Sequence, residues 1–276
     1  MSNIILRTEA LVHTYSTGVT ALKGVDLEIE NNDIISIVGQ NGSGKTTLVR
    51  HFNGLLRPSS GKVFVEGEDT TGRTVSSMSR KVGYVFQNPN HQIFCTTVLA
   101  ELEVAPKNYK MSDSETRDNI DRVVELMNLK DILSTHPLTL DYTAKKIVTI
   151  ASVLVYNPPV IILDEPTGGL DQAGREMLIK VTRLAHEKGQ TMIIISHDMD
   201  YVAENSSRII VMTDAQIVRN DIPSVVFNDH ESMKNAQIEP PQISQLDMAI
   251  MTDNKPSLSV GEFVKKYKSN FKRGDE

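Results

Sequence analysis

With a single cysteine, Cys95, in 276 residues, the chain has no pair from which to make an internal disulfide. Small stapled scaffolds are excluded, and a reducing, cytosolic compartment is expected. An excess of positive charge is missing too. Lys plus Arg number 29 against 35 Asp plus Glu, a net of −6, so no global field gathers a polyanion and nucleic acid is not an expected partner. Long hydrophobic runs are scarce. The longest uncharged stretch, Ile147 to Leu163, has 17 residues, but Asn157-Pro158-Pro159 divides it into a helix-like and a strand-like piece, so it is not expected to span a bilayer. The opening residues, MSNIILRTEA, carry neither a basic leader nor a signal-like apolar stretch, and any membrane role is expected from outside the lipid. Repeats and low-complexity tracts are absent. What remains is an ordinary folded composition, 39% hydrophobic and 23% charged, long enough for one large or two modest domains.

Periodicity supplies the organisation. Residues 4–12, 25–30, 61–66 and Val82 to Phe86 alternate as strands do. Three runs are more continuously apolar: Ile34 to Val38, Val160 to Leu163 and Met192 to Ile195. Each is followed by glycine or polar residues and then a helical pattern, which predicts strands of a parallel sheet buried on both faces, with function gathered at their carboxyl ends. Between Gln87 and Pro158 the pattern turns helical. Ser112–Asn128 places Ile120, Val123, Val124 and Met127 at helical spacing, and Tyr142–Tyr156 is a second helix. After about Asp221 the composition shifts, and a last helix opens with a capping box, Ser259-Val260-Gly261-Glu262. That tail is expected to be a separate small unit. Its Lys265, Lys266, Lys268, Lys272 and Arg273, interleaved with Tyr267 and Phe271, read as a solvated face on a packing helix.

The chemistry begins after Val38, with Gly39-Gln40-Asn41-Gly42-Ser43-Gly44-Lys45-Thr46-Thr47 followed by a helical stretch. Glycines let successive backbone N–H groups point into one concavity, and the helix adds its positive end, so a polyphosphate sits there naturally. Lys45 supplies a point charge between the β- and γ-phosphates, and Thr46 offers a hydroxyl to Mg²⁺. Far downstream, Asp164-Glu165 closes an apolar strand. Beside the cradle, Asp164 would hold Mg²⁺ through water and Glu165 would orient the attacking water, since phosphoryl transfer asks for positioning and charge neutralisation.

Over residues 3–220 these features resemble the ATP-binding subunit of an ATP-binding-cassette (ABC) transporter. Ile162-Leu163-Asp164-Glu165-Pro166-Thr167-Gly168-Gly169-Leu170-Asp171 is similar to the family's second nucleotide motif and its D-loop, which ends here at Asp171. Met192 to Ser196 followed by His197 resembles the strand and switch histidine, which contacts the γ-phosphate. Gln87 matches the Q-loop glutamine that touches Mg²⁺ and couples the site to a membrane partner, and Tyr15 stands where an aromatic ring stacks on adenine. The resemblance implies an α/β fold with a P-loop NTPase core: a mostly parallel sheet with an antiparallel β subdomain, a helical subdomain at about 90–157 within an ATPase domain of 1–221, and a C-terminal extension, 222–276, for subunit contact. It implies ATP and Mg²⁺ as cofactors. Asn88-Pro89-Asn90-His91-Gln92-Ile93-Phe94 and the tail are similar to energy-coupling-factor and cobalt-type importers. Those use two cassette subunits, an integral membrane coupling subunit and a membrane substrate-capture subunit, which implies a peripheral place on the cytoplasmic side of the cell membrane. A soluble cassette ATPase and a regulatory subunit that binds ATP without hydrolysing it are the alternatives.

One motif departs. The family signature, Leu-Ser-Gly-Gly-Gln, falls on Leu140-Asp141-Tyr142-Thr143-Ala144, where only the leucine matches. In a cassette dimer that loop caps the γ-phosphate bound by the other subunit. Asp141 brings a carboxylate there, and two unit charges 4 Å apart repel by about 4 kcal/mol at an effective dielectric near 20. A helix terminus returns only about 0.3–1 kcal/mol, so repulsion wins. Asp141 is also expected to cap its own helix. Tyr142 and Tyr156 are expected only to pack. A pairing with a second cassette subunit carrying an intact signature follows, with one competent and one impaired site.

Overall fold

A computed structural model describes residues 3–251 and 255–271. The chain opens with β1 (Ile4–Thr14) and β2 (Thr20–Glu30), then β3 (Ile34–Val38), which runs through the glycine-rich loop into α1 (Lys45–Phe52). β4 (Ser60–Val65), β5 (Glu68–Asp69), α2 (Val75–Lys81) and β6 (Val82–Val85) follow. α3 (Val98–Asn108), α4 (Asp113–Leu126) and α5 (Tyr142–Leu154) occupy the helical segment. The chain returns through β7 (Val160–Asp164), α6 (Gln172–Glu187), β8 (Thr191–Ile195), α7 (Met199–Asn205), β9 (Arg208–Thr213) and β10 (Gln216–Asp221). α8 (Pro223–Asn228), α9 (His230–Asn235), α10 (Gln242–Ile250) and α11 (Val260–Phe271) form the tail.

Two sheets result. One is antiparallel, in the order β2-β1-β4-β5; the other runs β10-β9-β3-β8-β7-β6, parallel except for β10. The continuous apolar runs are the inner strands of the second sheet, and their alternate residues serve opposite cores. Ile35, Ile37, Val160, Ile162, Ile193 and Ile195 pack toward the antiparallel sheet and α1. Ile161, Leu163, Met192 and Ile194 pack toward the helical segment and α6. A strand buried on both faces has no polar side to show, which is why these runs do not alternate. Ile120, Val123, Val124 and Met127 are buried as the helical spacing predicts.

Other expectations need correction. β2 begins at Thr20 rather than residue 25, and α2, β9 and β10 are elements the periodicity did not single out. The tail is not detached at its start: Val226 and Phe227 of α8 and Met233 of α9 share one buried cluster with Val38, Val202, Ile209 and Val211. The boundary in composition at Asp221 is therefore not a gap in packing. At the end of the tail the expected capping box forms in part: Ser259 Oγ accepts from the Glu262 N–H at 3.2 Å, but the Glu262 carboxylate accepts from the Leu258 N–H at 2.8 Å, one residue before the cap. Lys266 is not part of a solvated face. It donates to both oxygens of the fully buried Asp247 at 2.9 Å and to Lys255 O at 2.7 Å, joining α11 to α10. Lys272 and Arg273 lie outside the described residues.

Candidate functional site

Four strands of the parallel sheet end at one cleft of about 630 Å³. β3 delivers the glycine-rich loop, β6 delivers Gln87, β7 delivers Asp164 and Glu165, and β8 delivers His197. In space the order is β3, β8, β7, β6, so the loop and the carboxylates are separated only by the strand that carries the histidine. That is the carboxyl-end crevice of an open parallel sheet.

The loop has the shape its glycines permit. Gly39 has φ 146° and Gly44 φ 103°, and a Cβ at these positions would lie 2.1 Å from Met212 O and 2.5 Å from Ala21 O. No other residue fits either place. Gly44 is the N-cap of α1 and offers no side chain to its first turn, so the helix start stays open for an anion. Asn41, Gly42, Gly44, Lys45, Thr46 and Thr47 line the cleft; Gly39 and Ser43 stand outside its lining, Ser43 buried. Lys45 is nearly buried and donates to Gly39 O at 2.6 Å and Gln40 O at 2.9 Å. Burial lowers its pKa, against the pull of Glu165 and Asp164. Tyr15, at the cleft edge, is tethered through its hydroxyl to Thr47 Oγ1 at 2.9 Å.

Asp164 is buried and accepts a hydrogen bond from the Tyr84 hydroxyl at 2.7 Å. Burial, with Asp164 adding to it, pushes the Tyr84 pKa far up, so the phenol remains a donor. Glu165 adopts φ 50°, in the left-handed region, and turns its carboxylate toward His197. The His197 N–H donates to Oε2 at 3.3 Å, and His197 Nε2 stands 3.3 Å from Oε1. Burial raises the Glu165 pKa, helped by Asp164 and opposed by the His197 N–H, Lys45 and Lys146. Burial lowers that of His197, and Lys45 adds to the effect. Both directions disfavour an ion pair, so the contact is a neutral imidazole beside a carboxylate of enhanced basicity. Such a carboxylate, poised over a phosphate loop, can orient and partly deprotonate a water molecule.

The divergent loop is also placed. Asp141 is the N-cap of α5, its Oδ1 accepting from the Ala144 N–H at 2.7 Å, as the capping expectation requires. Tyr142 does more than pack: it lines the cleft, and its hydroxyl donates to Gln87 O at 3.3 Å. Thr143 Oγ1 donates to Gly169 O at 3.1 Å. Leu140 packs against the core under the helical segment, and Leu140, Asp141, Thr143 and Ala144 stand outside the cleft lining. Asp171 stands outside it as well, spending its Oδ1 on the Gly174 N–H at 2.8 Å as the N-cap of α6.

Two residues at the site escaped the sequence reading. Tyr84 could have been found, because a phenol inside a wholly apolar strand needs a polar partner. Lys146, on α5, could not. It lines the cleft, is 1% exposed, and donates to Glu165 O and to Gly168 O, the latter at 3.0 Å.

A family model described as ABC transporter matches residues 22–168, just over half of the chain. The chain is 37% identical over 244 residues to the energy-coupling factor transporter ATP-binding protein EcfA of Methanosphaera stadtmanae, covering 88% of each protein. It is 36% identical over 262 residues to a putative ABC transporter ATP-binding protein of Caldanaerobacter subterraneus; that match takes in 95% of this chain but only 46% of the relative, about half its length. Among solved structures, cbiO1 of Clostridium perfringens, described as part of the ABC transporter complex cbiONQ, superposes with a TM-score of 0.75 at 33% identity, over 90% of this chain and 100% of that one.

Proposed function

The chain belongs to the ABC transporter family and is an ATPase, and from that premise we propose that it powers an importer of the energy-coupling-factor type. The observation that carries this reading is the convergence of Lys45, Gln87, Asp164, Glu165 and His197 on one cleft from adjacent strand ends. The names of relatives such as EcfA and cbiO1 support the narrower class.

In the proposed mechanism, the loop Gly39 to Thr47 wraps the phosphates with its backbone N–H groups, Lys45 leaves its loop carbonyls for the β- and γ-phosphates, and Tyr15 stacks on adenine. Thr46, Gln87 and Asp164 would hold Mg²⁺. Their donors are all oxygen, hard ligands that suit this ion, and no cluster of three or more His, Cys, Asp or Glu occurs among the described residues, as fits a metal held largely by phosphate. When bound, Mg²⁺ neutralises charge on the phosphate oxygens. Tyr84 fixes one oxygen of Asp164. Glu165 orients the attacking water and draws its proton, the backbone N–H of His197 holds the Glu165 carboxylate, and the single ring N–H of neutral His197 turns to donate toward the γ-phosphate. These roles need positioning and charge more than covalent chemistry.

The loop Leu140 to Ala144 sets the assembly. Asp141 already occupies the start of α5 with its own carboxylate, so this chain's loop is a poor cap for a partner's γ-phosphate. The working unit is then a heterodimer in which a second ABC ATPase subunit supplies an intact signature over this chain's cradle. An integral membrane coupling subunit and a membrane substrate-capture subunit complete it, with this chain on the cytoplasmic face of the cell membrane. Among the described residues no helix is long and apolar enough to cross a membrane.

The test is Glu165→Gln in the assembled complex. Turnover should fall at least about 100-fold, as for loss of a general base. Near-normal steady-state hydrolysis by that variant would overturn the reading.

A further inference from the structure

α5 starts at the divergent loop, yet three of its first five residues bond back to this chain. Tyr142, Thr143 and Lys146 each donate to backbone carbonyls of this chain's own cleft: Gln87 O, Gly169 O, and the pair Glu165 O and Gly168 O. The Tyr142 ring also lies against Gly169, where a Cβ would come within 2.7 Å of it, and the Lys146 ammonium stands 5.7 Å from the ring centroid. One helix start is thus bonded to the glutamine end of β6 and to the whole turn that follows β7.

Lys146 is the centre of this arrangement. A buried ammonium needs its donors satisfied, and here the partners are two carbonyls rather than a carboxylate. The same two carbonyls belong to a turn that begins with Glu165 in a left-handed conformation, which is unfavourable for a residue with a Cβ. Converging carbonyls in a tight turn repel unless a donor lies between them, and Lys146 lies there. Burial pulls the Lys146 pKa down to about 8, while Glu165 and Asp164 favour its charge. The ammonium therefore persists at neutral pH, where charge-assisted bonds hold the turn more firmly than a neutral donor would.

We propose that Lys146 is a positioning residue for Glu165: by tying the carbonyls of Glu165 and Gly168 to α5, it sets the direction of the Glu165 carboxylate. This rests on the reading of Glu165 as the residue that orients water. It makes the divergent loop an intramolecular part of the chain's own catalytic turn, with Tyr142 covering the ammonium and Thr143 fixing Gly169 beside it.

The experiment compares Lys146→Met, Lys146→Gln, Glu165→Gln and the double variant Glu165→Gln/Lys146→Met in the purified transporter complex. ATP turnover gives kcat and KM, titration with the non-hydrolysable analogue AMP-PNP gives Kd, and thermal unfolding checks folding. Lys146→Met should lower kcat by about 10- to 100-fold, the scale of a misplaced catalytic group, with the Kd for AMP-PNP unchanged. Lys146→Gln keeps an N–H donor and should recover part of the loss. The double variant should be no slower than Glu165→Gln alone, because residues acting as one unit are not additive. An unchanged kcat in folded Lys146→Met, with Glu165→Gln inactive, overturns this proposal and leaves the parent reading standing. A Kd that rises in step with the fall in kcat overturns it as well, since Lys146 would then be a phosphate ligand. A double variant slower than Glu165→Gln would also end it, as would both Lys146 variants losing folding and activity together. Near-normal turnover in Glu165→Gln brings down both.

Discussion

The starts of α1 and α5 are the same physical object put to opposite use. Each is the positive end of a helix with N–H groups that the helix itself leaves unpaired. At α1 the N-cap is Gly44, with no side chain to spend, so the donors stay available in the cleft. At α5 the N-cap is Asp141, which takes up the Ala144 N–H with its own carboxylate. On the proposed reading the first end takes its anion from solution, whereas the second brings one along. A receptor and a filled cap thus differ by one side chain, and the sequence distinguishes them without any difference in helix propensity.

The strongest way to break this comparison is to close the open end. Gly44→Ala puts a Cβ 2.5 Å from Ala21 O at φ 103°. Strain of about 1–3 kcal/mol in the cradle should lower affinity for ATP by roughly 5- to 150-fold, measured by isothermal titration calorimetry. An affinity within twofold of the parent would show that the loop's shape is not what binds. The reverse operation opens the filled end: Asp141→Gly, which removes the capping carboxylate and leaves Tyr142 and Thr143 bonded to their carbonyls. The isolated chain should then gain ATP hydrolysis of about 10-fold or more in a phosphate-release assay, less than the roughly 100-fold or greater effect of a single well-placed oxyanion donor. No gain in hydrolysis would mean that the chemistry of this loop does not limit the isolated chain. The smallest effect sharpens the comparison. Asp141→Ala removes only the cap, and the urea unfolding free energy should drop by about 1 kcal/mol, with Asp141→Asn losing less because its amide oxygen still accepts. Equal losses in the two variants would deny the cap its role.

The cleft where these residues meet was largely legible in the sequence because its parts are local. The glycine loop needs its conformation within nine residues, and each carboxylate or histidine follows directly on an apolar run that announces a buried strand. The start of α5 was legible for the same reason, since an aspartate three residues before the N–H that donates to it is a short-range pattern. Lys146 was hidden because a lysine in a helix ordinarily reads as solvated, and only folding brings Glu165 O and Gly168 O, 19 and 22 residues away, to its ammonium. Lys266 misled in the same way, its partner Asp247 lying 19 residues back. The tail was misread as separate because composition changes at Asp221, whereas the burial of Phe227 against Val211 depends on a contact that composition does not encode.

The strand order has a consequence for how the molecule comes into being. β3 sits in the sheet between β9 and β8, both made more than 150 residues after it, and β8 must insert between β3 and the already synthesised β7. Loop closure over such separations is slow. A ribosome-held fragment ending near residue 190 would own the glycine loop and both acidic groups yet lack the piece that sets them side by side. Competence to grip a nucleotide should therefore arrive late in translation and abruptly, with the emergence of β8 and β9.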